Sequence, residues 1–191
     1  MGGCGNVERK VKVAEVALRA LLCGLGALAA ALVATDSQTR TFFSLQKKAK
    51  FTDMKALVFL VVANGMAAGY SLLQLARCAA AMASGSRPLL NRALAWCIFS
   101  GDQALAYVTL AAVAAALQAS VISMRGQPEL QWMGICDLYG AFCRQAGGGI
   151  ASALAAGLAA VLLAFVSAFN LFRLYGGRSG GGGAGKNGAA W

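Results

Sequence analysis

Apolar positions along the chain gather into four long runs, at about residues 14–35, 56–76, 93–123 and 147–174, with shorter, more polar connections between them. Each run exceeds the roughly 18 residues that mark a helix able to cross the hydrocarbon core. None alternates apolar and polar residues as a barrel strand does, and a backbone in lipid must satisfy its own hydrogen bonds. The pattern therefore predicts an all-α membrane protein, a four-transmembrane-helix bundle spanning residues 14–175. A short basic tail, residues 1–13, precedes it. The Gly-rich stretch GGRSGGGGAGKNGAAW, residues 176–191, follows, and its low complexity predicts disorder.

Two charges interrupt the apolar runs. Asp102 lies within ALAWCIFSGDQALAYVTLAAVAAALQASVIS and Arg19 within VALRALLCGLGALAAALVAT. An aspartate at the centre of an inserted helix costs about 2.5–3.5 kcal/mol, so such residues turn inward and find a partner. Measured from Lys12 and Arg92 at 1.5 Å per residue, Arg19 and Asp102 lie at depths of about 10 and 15 Å. The reach of arginine closes that gap, and guanidinium suits a bidentate bond to carboxylate. The sequence thus predicts an intramembrane ion pair, Arg19 with Asp102. A structural clamp fits better than a proton or ion relay, because a relay needs further protonatable sites and the other polar residues singled out in the spans are Asn64, Gln74, Gln103 and Asn170.

Small residues at helical spacing mark close helix packing: Gly65 and Gly69 in the second span, Gly149, Ala153 and Gly157 in the fourth. For Gly65 and Gly69 the favoured reading is packing within the chain, with a dimer face as the other.

The side on which each connection lies follows from charge and from cysteines. The N-terminal tail, second connection and C-terminal tail together hold nine Lys and Arg, against seven in the first and third connections. The balance favours cytosolic termini. Cys136 and Cys143 share the third connection, ICDLYGAFCRQ, where a disulfide forms only on the oxidising side. Both criteria place that connection outside, with a Cys136–Cys143 bridge expected.

Composition narrows the function. The chain is 59% hydrophobic and 13% charged, where soluble domains carry about a quarter charged residues. Its net charge of +10 sits in short loops and tails beside the spans, which points to membrane lipids and not to nucleic acid. A cleaved signal peptide fits poorly, because the first run outlasts the roughly 7–15-residue apolar core of such peptides and contains Arg19. MGGCGN approaches a myristoylation pattern but has Asn6 where Ser or Thr is needed; Cys4 and Cys78 are candidate palmitoylation positions. With no histidine, no nucleophile motif and no metal-ligand cluster, the chain is expected to be no enzyme and to hold no cofactor or metal.

Arg19, the segment FTDMKALVFLVVANGMAAGYSLLQLARC, the stretch GDQALAY with Asp102, and the ICDLYGAFC loop before the fourth span together resemble the Casparian strip membrane domain proteins and their plant relatives, the CASP-like proteins, a branch related to the MARVEL four-span family. The resemblance covers residues 8–175. It matches Arg19 and Asp102 to the family's charged residues in spans one and three. It implies a plasma-membrane scaffold that forms homodimers or hetero-oligomers with related four-span proteins and organises membrane domains, with a link to local cell-wall modification. RTFFSLQKKAKFTD keeps only a partial likeness to the founding group's stretch before span two, so the implied group is the broader CASP-like one. A claudin would carry its cysteine pair in the first outer connection, and a tetraspanin would have a larger second outer loop. The reading from a different class is a small transporter or channel subunit.

Overall fold

The computed structural model describes residues 3–42, 45–83, 92–127, 129 and 133–176. Their element order is α1 (Gly3–Ala34), β1 (Ser37–Phe42), β2 (Leu45–Lys50), a 3-10 turn (Phe51–Asp53), α2 (Lys55–Ala83), α3 (Arg92–Arg125) and α4 (Gly140–Gly176). Among the described residues, four helices are long and apolar enough to cross a membrane, Lys10–Ala34, Lys55–Ala80, Ala93–Arg125 and Gly140–Phe172. They form a bundle in which α1 packs mainly on α4 and α2, and α3 mainly on α4; α2 meets α3 less closely and α4 hardly at all.

Lipid supplies no hydrophobic drive to bring helices together, so close approach and dispersion must do it. The interior is accordingly built from alanines. Ala63, Ala112, Ala116, Ala153 and Ala156 are fully buried, with larger wedges such as Leu22, Leu60 and Leu163 between them. Many large apolar side chains of α4 turn outward instead, with Leu158, Leu162, Phe165, Phe169 and Phe172 all more than half exposed. That inside-out distribution matches a solvent of hydrocarbon.

The helices differ from the apolar runs at their ends. α1 begins at Gly3, so most of the stretch read as a basic tail continues the first helix. α2 runs on to Ala83, and α4 starts at Gly140 and takes Cys143 into its opening turns. Apolarity locates the lipid-spanning part of a helix; the backbone ladder continues past it wherever nothing breaks it. α3 ends where Gly126 adopts a left-handed conformation, φ 66°, its N–H donating to the Ile122 carbonyl at 2.8 Å. The stretch read as a disordered tail lies, after Gly176, outside the described residues.

A two-stranded hairpin occupies the first connection, which the apolar pattern left without structure. β1 and β2 pair antiparallel from Ser37 opposite Lys50 to Phe42 opposite Leu45. The hairpin docks on the end of the bundle through caps. The Gln38 Oε1 accepts the Phe142 N–H at 3.0 Å, one of the donors that the first turn of α4 leaves free. In return Gln145 Nε2 of α4 donates to the Leu32 carbonyl of α1 at 2.9 Å. Cys136 and Cys143 are bridged at this same end, with Cα atoms 5.6 Å apart. Hairpin and disulfide therefore share one side of the membrane.

Candidate functional site

The spacing of four between Glu15 and Arg19 puts both on one face of α1, and that face meets α3 and α4. Arg19 is 1% exposed. Its Nη1 donates to Asp102 Oδ1 at 3.2 Å and its Nη2 to Asp102 Oδ2 at 3.0 Å, a bidentate pair between α1 and α3. Glu15 takes two further donors of the fork, its Oε1 accepting from Arg19 Nε at 3.3 Å and from Nη2 at 3.1 Å. Asn170 of α4 donates from Nδ2 to the other Glu15 oxygen at 3.3 Å. One guanidinium thus joins three helices through two carboxylates.

A glycine beside the aspartate leaves room on α3 for the end of the Tyr70 side chain. The Tyr70 hydroxyl of α2 donates to the Ile98 carbonyl at 3.2 Å, and a Cβ added at Gly101 would sit 2.8 Å from that hydroxyl oxygen. α2 so reaches the cluster through a tyrosine and not through a charge.

Arg19 and Asp102 are thus brought together, and the cluster is wider than the pair read from the sequence. Glu15 lies at the rim of the first apolar run and is 26% exposed, so hydropathy gave no reason to count it as intramembrane. Its position four residues before Arg19 was the available signal. Asn170 stood in the sequence as an isolated polar residue, and only the α1–α4 contact gives it a role.

Of the small residues, Gly149 and Ala153 lie in the α1–α4 seam. A Cβ on Gly149 would run into Val33 Cγ2, and Ala153 is fully buried. Gly157 faces α3, with ordinary room, 3.5 Å, to Leu110. Gly65 and Gly69 do not pack within the chain: nothing lies within 4 Å of a Cβ built on either. The close approach of α1 to α2 is made from the other helix, by Gly26, whose added Cβ would stand 3.1 Å from the Asn64 carbonyl oxygen. Helix phase decides this, since Asn64 and Ala67 point inward and thereby turn Gly65 and Gly69 out.

Casparian strip membrane protein domain is the family whose profile matches residues 8–169. The chain belongs to this family. Its similar relatives include CASP-like protein 2U1 of Sorghum bicolor, 77% identical over 92% of this chain and 94% of the relative. CASP-like protein 2B1 of Oryza sativa subsp. japonica is 69% identical over 93% and 90%, and CASP-like protein 2B1 of Vitis vinifera 62% over 91% and 86%. No solved structure matches the chain. For this CASP-like membrane protein, Arg19, Asp102, the hairpin and the bridged cysteines all lie within the matched region.

Beside the disulfide a cavity of about 50 Å³ opens between Met54, Leu57, Ser123 and Phe142. Ligand pockets occupy about 300–1,000 Å³, so this space is too small for an ordinary ligand. Nearby, Asp36 lies two residues past the end of α1 and is 2% exposed, with its Oδ2 lacking a hydrogen-bond partner among the described residues. Burial pushes its carboxyl up from 3.8 to about 6, partly offset by the backbone of Ala146. A buried acid with a raised pKa destabilises the fold when ionised. Stability should therefore fall as pH rises from about 4 to about 6 and level off above, and Asp36→Asn should flatten that slope. Melting curves of purified protein across this range check it; a slope unchanged in Asp36→Asn contradicts it.

Proposed function

We propose that this chain is a non-enzymatic scaffold of the plasma membrane, which associates with itself or with related four-span proteins and organises membrane domains linked to local cell-wall modification. The observation that carries this reading is the internal pairing of the buried charge cluster. Arg19 donates to Glu15 and Asp102, Glu15 is held further by Asn170 of α4, and Arg19 and Asp102 are shut off from solvent. A relay needs groups free to exchange partners along a path. Other polar groups of the interior fold back on their own helices: Thr109 donates to the Leu105 carbonyl at 2.8 Å and Asn64 Nδ2 to the Leu60 carbonyl at 2.9 Å. Such an interior supports a clamp that fixes helix neighbours and presents stable surfaces to lipid and to partners.

The scaffold lies with both termini in the cytosol and the hairpin and Cys136–Cys143 bridge outside. A membrane-impermeant thiol reagent, applied to intact cells after reduction, should label Cys136 and Cys143; labelling only after permeabilisation contradicts this orientation. The bridge closes a short loop, so Cys136→Ser with Cys143→Ser should cost on the order of 2–3 kcal/mol of stability and leave the bundle folded.

Self-association is tested by cross-linking and mass spectrometry in the native membrane, with ion and solute flux measured in proteoliposomes. The scaffold reading expects discrete oligomers and flux equal to protein-free vesicles. A flux that disappears in an Arg19→Leu/Asp102→Leu variant that still folds would favour a transporter or channel subunit instead.

A further inference from the structure

The charge of the outer end is concentrated on the hairpin. Residues 37–55 carry five cations, Arg40, Lys47, Lys48, Lys50 and Lys55, and one carboxylate, Asp53. That carboxylate is occupied locally, its Oδ2 accepting the Lys50 backbone N–H at 2.9 Å. The third connection at the same end has no such excess, since Arg125 and Arg144 flank Glu129 and Asp137.

The register sorts the hairpin into two faces, because paired residues point the same way and successive pairs alternate. The Gln38–Ala49 pair faces the bundle, with Gln38 capping α4 and Ala49 packed on the core. The neighbouring pairs, Ser37–Lys50 and Thr39–Lys48, together with Gln46, form the opposite face, and all five of these residues are exposed. This face combines ammonium groups, hydroxyls and an amide, with no apolar or acidic side chain among its described members. Among the described residues, no ion pair holds Lys48 or Lys50.

We infer that this face is a binding surface for an acidic polysaccharide, a polymer whose repeating uronate units offer a carboxylate to each lysine and hydroxyls to Ser37, Thr39 and Gln46. Three arguments select that partner. Anionic lipid is concentrated on the cytoplasmic leaflet, so a cationic hairpin on the outer side lacks its usual lipid counterpart. Protein interfaces centre on buried aromatic or arginine anchors, and the described members of this face have none. Exposed lysine pairs bind weakly one by one, and a regularly charged polymer adds them up across many copies of the chain in one membrane.

The inference rests on the orientation proposed above, and nanodiscs separate the two because they leave both membrane faces open. The full chain in phosphatidylcholine nanodiscs should retain polygalacturonate and not a neutral glucan, with binding lost as salt rises from about 0.1 M to about 1 M and the screening length shrinks from about 10 to 3 Å. Lys48→Gln/Lys50→Gln should bind about five- to tenfold more weakly and Lys48→Arg/Lys50→Arg as the parent does, with both variants eluting as folded protein. Equal binding by the Gln variant, equal retention of neutral glucan, or tighter binding of polyglutamate or of phosphatidylserine vesicles would each overturn the inference while leaving the orientation intact. Thiol labelling that requires permeabilisation would overturn the orientation, and the inference with it, whatever the nanodiscs bind.

Discussion

Arg19→Leu should deplete folded protein more severely than Asp102→Leu, although each removes one half of the same ion pair. The asymmetry comes from Glu15. Without Arg19, two carboxylates face each other between α1 and α3 with no cation, and an uncompensated buried charge costs about 3–5 kcal/mol. Without Asp102, Arg19 keeps Glu15 as a partner four residues away, and the loss is that of hydrogen bonds to a charged group, about 1.5–3 kcal/mol. Fluorescence-detected size exclusion of solubilised protein after a temperature series measures both. Equal losses, or a larger loss for Asp102→Leu, would mean that Glu15 does not share the guanidinium.

Gly149→Leu should destabilise the bundle by about 1–3 kcal/mol or more, and Gly65→Leu should leave its stability within about 0.5 kcal/mol. At Gly149 the first added carbon already collides with Val33, which is fully buried and cannot swing into lipid. The α1–α4 seam must part, and with it the contacts that hold Glu15 to Asn170. At Gly65 the side chain enters open space on the outer face of α2. The same thermal series decides the contrast. A Gly65→Leu variant as unstable as Gly149→Leu would place the tight helix contact on the wrong face of α2.

Much of this was legible in the sequence because lipid imposes simple rules. Four apolar runs gave the spans, and two isolated charges in different runs gave a contact between helices distant in the chain. The rules stop where residues are judged one at a time. Gly65–Gly69 and Gly149–Gly157 carry similar small-residue spacing, yet one pair faces out of the bundle and the other faces α1 and α3; the spacing fixes a common face and not its direction. Glu15 was passed over because hydropathy treats a charge at the end of a run as a boundary. The hairpin was missed because the cations of KKAK and the polar residues of SQTRT read as a solvated loop. Only docking of Gln38 and Ala49 on the bundle gives those strands a buried side.

A double-mutant cycle on Arg19 and Asp102 tests the clamp most directly. The stabilities of parent, Arg19→Leu, Asp102→Leu and the double variant yield the coupling between the two side chains. Leucine at both positions removes the buried charges together, and Glu15, 26% exposed, can turn to water, so the double variant should recover much of what Arg19→Leu alone loses. The expected coupling exceeds the loss from Asp102→Leu alone, about 1.5–3 kcal/mol, which makes the double variant more stable than Arg19→Leu. Losses that simply add would contradict it, for they would mean that Arg19 and Asp102 each stabilise the bundle without holding one another.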